Sequence, residues 1–297
     1  MTLILSAIAG EYAVQVSDRR LTWPNGRVFD DEANKAVLFC GRMVFSYTGL
    51  GLIGRDRTDV WLTQALVNAK TASLSEAASS LAQQAADALK NGPLNRSLQR
   101  LVFAGIGWAL LPNETTVSPI VLTVSNALDD SGAWLAEAET EFKIRPNIGP
   151  NRQRTSILYS HGQTLPAREL AATRRFLRRC VERRTGPEPV ARLLVDKIRS
   201  LAGRYPNVGK SLMVSSLPWQ TAFSPQQHII TDLSPSAAMT ERDTASFRYV
   251  STDGSDIRQF GPNAANCGSG VTNVKLTRLN ETGSDAIIEM TIVLPKA

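Results

Sequence analysis

The sequence predicts an α+β fold of four layers, αββα, in which two antiparallel sheets are stacked between two pairs of helices. The main observation is the order of the segments: strands, two helices, strands, two helices, and strands again. The second is size, because 297 residues, of which 43% are hydrophobic, provide enough chain for a core of this kind.

The first block of strands has the pattern of two β-hairpins. Apolar and β-branched runs come in pairs, each interrupted by a short turn, at Gly10-Glu11 and at Gly41-Arg42. Two such runs separated by a glycine turn are typical of a hairpin. The predicted strands are 3–8 and 11–17, followed by 35–40 and 43–48.

Both helix pairs place apolar residues at helical spacing. Asn91-Gly92-Pro93 ends the first pair, Pro187 and Pro189 mark the start of the last helix, and Gly203 marks its end. The predicted helices are 58–70, 74–90, 167–183 and 188–203.

The remaining strands lie between and after the helix pairs. They are predicted at 101–109, 117–125, 155–159, 211–216, 246–251, 272–278 and 286–294. Residues 217–245 are rich in Ser, Thr, Pro and Gln, which predicts long loops. We therefore divide the chain into a domain at 1–216 and a C-terminal extension at 217–297 that completes or decorates it.

Composition excludes several classes of protein. A mean hydropathy of -0.12 and 20% charged residues argue against a disordered or polytopic membrane protein. No apolar run approaches the roughly 20 residues of a membrane-spanning helix. Three widely separated cysteines give no disulfide framework or zinc spacing, and the N-terminus does not resemble a secretory signal. The expected location is the cytoplasm.

Several kinds of active site are disfavoured. With His161 and His228 as the only histidines and no G-x-S-x-G, the chain lacks the usual signals of a serine hydrolase or a histidine metal site. Gly49–Gly54 matches G-x-G-x-x-G, but the following region, 58–90, reads as two helices with no strand between them. We expect no cofactor and no metal.

The N-terminus offers a different nucleophile. Removal of Met1 would expose Thr2 with a free α-amine, which can serve as the base for its own hydroxyl. Such a site needs a cation, a carboxylate that holds it, and an N–H donor for an oxyanion. Asp18 after the second strand, Lys35 at the start of the third and Gly49 at the end of the fourth supply these in order.

These residues lie in motifs that resemble the proteasome β-subunit class of N-terminal nucleophile hydrolases. The motifs are Thr2-Leu3-Ile4-Leu5-Ser6, Val14-Gln15-Val16-Ser17-Asp18-Arg19-Arg20-Leu21-Thr22, Asn34-Lys35-Ala36-Val37-Leu38 and Tyr47-Thr48-Gly49-Leu50-Gly51. The resemblance covers about residues 2–70 and extends weakly to about residue 216. It implies a threonine-type amidohydrolase or peptidase that acts on a peptide or amide substrate.

The resemblance also implies roles for the residues. Thr2 would be the nucleophile, Asp18 and Lys35 would tune it, and the N–H of Gly49 would line the oxyanion hole. Arg20 and Thr22 would border the substrate cleft. Relatives form rings, so a homo-oligomeric ring is expected; no residue pattern identifies an ATPase partner.

Two segments depart from the family pattern. Ser160-His161-Gly162 stands where the family has Gly-Ser-Gly, and Tyr205-Pro206-Asn207-Val208-Gly209 lacks the usual carboxylate and hydroxyl. Asn207 is a partial substitute. These departures leave open an inactive relative that serves as an assembly or binding module.

The basic character of the chain is local. Its net charge is +6, and six arginines fall within 174–184. A nucleic-acid site would combine phosphate-binding cations with stacking aromatics, whereas this helix has only Phe176. We therefore expect the arginines to pair with acidic loops of an adjoining subunit, with no specific nucleic-acid binding and no membrane binding.

Overall fold

The computed structural model describes residues 2–219 except 24, 41, 72, 91, 93, 111–116 and 150–154, together with the backbone of four strands beyond residue 243. The helices are α1 (Thr58–Asn68), α2 (Leu74–Lys90), α3 (Ala167–Arg183) and α4 (Pro187–Ala202). The strands that precede α1 are β1 (Leu3–Ala9), β2 (Tyr12–Asp18), β3 (Leu21–Thr22), β4 (Val28–Asp30), β5 (Ala36–Phe39), β6 (Met43–Gly49), β7 (Leu52–Ile53) and β8 (Asp56–Arg57). The later strands are β9 (Leu101–Leu110), β10 (Val117–Ser125), β11 (Lys143–Ile148), β12 (Ser156–Gly162), β13 (Leu212–Pro218), β14 (Thr244–Ser251), β15 (Asn263–Ala265), β16 (Asn273–Asn280) and β17 (Ala286–Val293).

The larger sheet carries the N-terminal strand. It has seven strands in the order β12-β1-β2-β13-β14-β17-β16, and each neighbouring pair is antiparallel. Gly10, at φ +63°, makes the turn that joins β1 to β2. Because β1 pairs with β2 on one side and β12 on the other, the chain is fixed immediately after Thr2.

The second sheet has six strands in the order β11-β10-β9-β6-β5-β15. All of its pairs are antiparallel except β5 with β15, which is parallel. Strands from the C-terminal part of the chain therefore extend both sheets.

Three groups of buried side chains connect the elements. One joins the six-stranded sheet to α1 and α2, through residues such as Phe45, Leu62 and Leu81. Another joins the seven-stranded sheet to α3 and α4, through residues such as Leu5, Leu177 and Leu194. The third includes Ile8, Val44, Ile106 and Met213, so it joins the two sheets to each other.

The periodicity of the sequence predicted the four helices and eleven of the seventeen strands that the structure describes. It missed the short strands β3, β4, β7, β8 and β15, and it missed β11. This strand carries Lys143, Arg145 and Pro146, and most of its residues are exposed. It lies at the edge of its sheet, where charged residues and proline are tolerated because one side of the strand forms no ladder. Most of the predicted loop region 217–245 lies outside the described residues.

Two further expectations concern cysteines and membranes. Cys180 on α3 is a buried free thiol. Cys40, directly after β5, is disulfide-bonded, which the wide separation of the cysteines did not indicate. In the described part of the chain, no helix has the length and apolar character needed to cross a membrane.

A buried histidine between the sheets makes stability depend on pH. His161 on β12 lies with Nε2 2.9 Å from Oγ1 of Thr123 on β10. Burial lowers the pKa of His161 to about 4. In the unfolded chain a histidine titrates near pH 6.5, so between these values the unfolded state binds the extra proton and acid destabilises the fold.

We expect this histidine to reduce the free energy of unfolding by about 2 kcal/mol as the pH falls from 7 to 5. His161→Gln keeps a polar partner for Thr123 but does not titrate, so it should lack that part of the pH dependence. Urea unfolding of both proteins at the two pH values measures the difference. Equal pH dependence in both would show that His161 does not titrate in this way.

Candidate active site

Thr2 lies at the start of β1 with little of its surface exposed. Only 6% of the residue is accessible, although it stands at the end of the chain that the structure describes. Its hydroxyl oxygen Oγ1 accepts a hydrogen bond from Nζ of Lys35 at 2.6 Å and lies 3.4 Å from the carbonyl oxygen of Arg20. A hydroxyl is therefore held against an ammonium group.

Lys35 reaches Thr2 from the residue before β5. Its side chain is fully buried, as is that of Asp18, and Nζ lies 3.5 Å from Oδ1 of Asp18. Nζ also donates to the carbonyl oxygen of Arg20 at 2.6 Å. These contacts direct the three donors of the ammonium toward Thr2, Asp18 and Arg20.

Asp18, at the end of β2, is held by backbone donors. Its Oδ2 accepts from the N–H of Leu3 at 2.5 Å, and its Oδ1 accepts from the N–H of Arg20 at 3.0 Å. A further backbone hydrogen bond comes from Gly209. The carboxylate thus ties the residue that follows Thr2 to the lysine that contacts its hydroxyl.

Burial shifts the pKa values of both Asp18 and Lys35. Desolvation raises the pKa of Asp18, while the charge of Lys35 and the backbone donors act in the opposite direction. Desolvation likewise lowers the pKa of Lys35, opposed mainly by the charge of Asp18. Lys35 therefore loses its proton more readily than a lysine on the surface.

The carbonyl of Thr2 is fixed as well. It accepts from Oγ1 of Thr48 at 3.3 Å and from the backbone N–H of Gln163 at 3.2 Å. Gly162 packs directly against this carbonyl, because a Cβ built at Gly162 would lie 1.6 Å from the oxygen. Both the hydroxyl and the backbone of Thr2 therefore have defined positions.

Of the other residues suggested by the resemblance, Gly49 and Arg20 adjoin this centre through their backbone neighbours, whereas Thr22 is placed by its strand pairing. Gly49, the exposed last residue of β6, directly follows Thr48, which contacts Thr2. Thr22 is half-buried in β3 and pairs with Val28. The backbone of Arg20 faces the site, but its guanidinium binds both oxygens of Asp31, at 2.5 and 3.0 Å, and the carbonyl of Pro206 at 2.6 Å.

Some contacts of the site come from residues to which the sequence assigned no role. Thr48 and Gln163 hold the carbonyl of Thr2, and the N–H of Gly209 reaches Asp18. A Cβ at Gly209 would lie 2.8 Å from Cβ of Arg20, so this close approach requires a glycine. Gly209 is the glycine of the family pattern that this chain retains. Asn207, considered as a substitute for the missing polar groups, is exposed.

The arrangement suits nucleophilic chemistry by Thr2. An ammonium that donates to Oγ1 stabilises negative charge on that oxygen, and more strongly in a buried site than in water. Within the described residues, no group of three or more His, Cys, Asp or Glu side chains is placed to hold a metal ion.

Comparisons with known proteins find distant similarity to solved structures. No family model and no curated protein matches the chain. Among solved structures, Anbu (ancestral beta-subunit) from Yersinia bercovieri has a TM-score of 0.46 at 14% identity, over 73% of this chain and 81% of that one. Eukaryotic HslV from Trypanosoma brucei has a TM-score of 0.38 at 15% identity, over 73% of this chain and 99% of that one. These similarities do not identify a family.

Proposed function

We propose that this chain is a threonine-type amidohydrolase or peptidase in which Thr2, freed by removal of Met1, is the nucleophile. The observation that carries the proposal is the 2.6 Å hydrogen bond from Lys35 to Oγ1 of Thr2, made inside a buried pair with Asp18. Burying the charge of a lysine costs free energy, so its position against a hydroxyl indicates that the charge has a role there. The four-layer αββα arrangement, the ring assembly and the cytoplasmic location belong to the same proposal.

The reaction would proceed through an ester of Thr2. Oγ1 attacks the carbonyl carbon of a peptide or amide bond, and the hydroxyl proton passes to the α-amine of Thr2, which protonates the departing amine. Water then attacks the ester with the same amine as base, releasing the acid and restoring Thr2. Lys35 stabilises the attacking oxygen, and the N–H of Gly49 would stabilise the oxyanion.

The second candidate is an inactive relative that serves in assembly or binding. The departures from the family pattern at His161 and in the loop 205–209 favour it. The side chain of His161 is bound to Thr123, so it does not replace the serine that the family has at this position. A hydrolase with a different polar environment around the amine explains the same substitutions.

Intact-mass analysis tests the proposal. We expect folded protein to have lost Met1 and to gain one equivalent of a peptidyl β-lactone, with the added mass on the peptide that begins at Thr2. The hydroxyl of Thr2 opens the β-lactone ring and forms an ester. No group leaves, so the mass increase equals the full mass of the probe. Retention of Met1 in all molecules, or labelling unaffected by Thr2→Ala, would reject the mechanism.

A further inference from the structure

One face of α3 carries a concentration of positive charge. Arg175, Arg179 and Arg183 recur every four residues, about 6 Å apart along the helix, and are exposed. Arg174 and Arg178 flank this row, Arg184 directly follows the end of the helix, and all three are exposed. We call these six residues the arginine face. The opposite side of α3 is buried through Thr173, Leu177 and Cys180.

The arginine face is not neutralised within the part of the chain that the structure describes. None of its six guanidinium groups forms an ion pair there. The helix has two glutamates, of which Glu169 is already bound to Lys197 at 3.2 Å and to Arg204 at 3.5 Å. The other, Glu182, is exposed beside Arg178 and Arg179 and leaves the six arginines with a large positive excess. Like charges spaced four residues apart repel and destabilise a helix, so a partner with negative charge would reduce this repulsion.

The chain also presents an acidic loop between β10 and β11. Residues 129–141 contain no lysine or arginine and carry five carboxylates, at Asp129, Asp130, Glu137, Glu139 and Glu141. Lys143 and Arg145 pair with Asp130, and Lys143 also pairs with Glu139. Glu137 and Glu141 are exposed, and no ion pair to them occurs among the described residues.

The acidic loop has a defined conformation. Oδ1 of Asp129 accepts three hydrogen bonds, from the N–H and hydroxyl of Ser131 and from the N–H of Ala133. The N–H of Leu135 donates to Ala127 and the N–H of Glu139 donates to Asn126, both at their carbonyls. A preformed loop loses little conformational freedom on binding, which favours association.

Within the described residues, a second acidic cluster at Asp30 and Asp31 already forms ion pairs. Asp30 pairs with Arg57, and Asp31 pairs with Arg20. Among the described residues, the acidic loop is therefore the surface whose charge and availability complement the arginine face.

We propose that the arginine face of one copy of this chain binds the acidic loop of a second copy. The two patches differ and belong to different parts of the fold, since α3 packs on the seven-stranded sheet and the loop follows a strand of the six-stranded sheet. A contact between unlike patches leaves one of each patch free in a dimer, so it continues into a ring or a filament. Catalytic activity is not required for this contact.

Nucleic acid is the competing partner for six arginines. Single-stranded nucleic acid is usually held by exposed aromatic side chains as well as by cations. The one aromatic residue of α3, Phe176, is half-buried, with the guanidinium of Arg179 6.0 Å from its ring centre. The presence of a complementary loop in the same chain favours the protein partner.

Charge reversal on each side tests the contact. One variant carries Arg175→Glu and Arg179→Glu, and the other carries Glu137→Lys and Glu141→Lys. Sedimentation at about 0.05 M and about 0.5 M salt should show that the wild type assembles in a salt-sensitive way. The concentration for half-assembly of each variant should rise at least about tenfold.

The mixture of the two variants is the decisive measurement. In the mixture, the two glutamates introduced on α3 of the first variant can meet the two lysines introduced in the loop of the second. The unchanged arginine face of the second variant can meet the unchanged loop of the first. Alternating copies are complementary at every contact, so mixing should restore assembly. Lys90→Glu with Lys210→Glu, two exposed positions elsewhere, is the control with the same charge change as the arginine variant and should assemble as the wild type does.

Three outcomes would overturn the proposal. They are a monomeric wild type at low salt, variants that assemble like the wild type, and a mixture that stays dissociated. Binding of single-stranded or duplex DNA, of about 20 nucleotides or base pairs, at about 0.15 M salt would identify nucleic acid as the partner instead, provided that it is lost in the arginine variant while assembly persists.

Discussion

Replacing Lys35 with methionine is expected to reduce acylation of Thr2 by a peptidyl β-lactone at least about 100-fold, the scale of losing one preorganised electrostatic contact. Methionine has a similar length and no charge, so the change removes the ammonium that lies 2.6 Å from Oγ1 of Thr2. The measurement is the second-order rate of labelling, followed by intact mass. Labelling at the wild-type rate would mean that Lys35 has no role in activating Thr2.

The fold of this variant needs its own control. Asp18 is fully buried, and removing Lys35 leaves its carboxylate without the opposite charge, which costs about 3–5 kcal/mol for such pairs. Lys35→Met combined with Asp18→Asn removes both charges while the amide oxygen can still accept from the N–H of Leu3. This double variant should regain most of the stability that Lys35→Met loses, although the amide nitrogen cannot accept from the N–H of Arg20, and it should remain inactive. Lys210→Met, at an exposed lysine, should label normally.

The pH profile separates an electrostatic role from a structural one. The α-amine of Thr2 must be neutral to act as a base, so labelling should rise as the pH passes the ordinary amine range of about 7.7–8.0. Labelling should then fall as Lys35 loses its proton, and this happens below the ordinary lysine value because burial lowers the pKa of Lys35. The residual labelling of Lys35→Met should lack that alkaline decline.

The sequence predicted the residues that meet through regular strands. Thr2 lies at the start of β1 and Asp18 at the end of β2, which antiparallel pairing brings together. Lys35 precedes β5 of the other sheet, so it reaches them through the packing of one sheet on the other. Periodicity alone predicted the strands. The choice of Thr2 also required the chemistry of an N-terminal nucleophile, which restricts the candidates to the start of the chain.

The contacts that the sequence did not predict are mostly made by the backbone. Gly209 holds Asp18 through its N–H, and Gln163 holds Thr2 through its N–H. Every residue except proline carries this group, so no residue type signals the contact. Both donors are more than 150 positions from their partners, and only the finished fold brings them together.

The position of the Arg20 side chain could not be predicted from the sequence for a different reason. The resemblance implies that it borders the substrate cleft, and its carbonyl does face Lys35 and Thr2. The fate of its guanidinium depends on Asp31 and Pro206, which are 11 and 186 positions away. A motif of neighbouring residues carries no information about such distant partners.

Gly162→Ala is expected to reduce both stability and labelling, because Gly162 packs against the carbonyl of the nucleophile. Its φ is +87°, a region that other residues rarely adopt, and an alanine Cβ would lie 1.6 Å from the carbonyl oxygen of Thr2. That oxygen is also bound by Thr48 and Gln163, so it cannot move away without breaking both hydrogen bonds. Strain and overpacking together should cost about 2–5 kcal/mol.

Gly132→Ala separates the two causes of this loss. Gly132 has a φ of +84°, nearly that of Gly162, but no atom lies within 4 Å of the added Cβ. It should therefore show only the backbone cost of about 1–2 kcal/mol and label at the wild-type rate. Urea unfolding and β-lactone labelling of both variants give the comparison. If Gly162→Ala matches Gly132→Ala in both measurements, the position of the Thr2 carbonyl does not control the nucleophile. If Gly162→Ala alone loses labelling under conditions where it remains folded, displacement of Thr2 away from Lys35 is the cause.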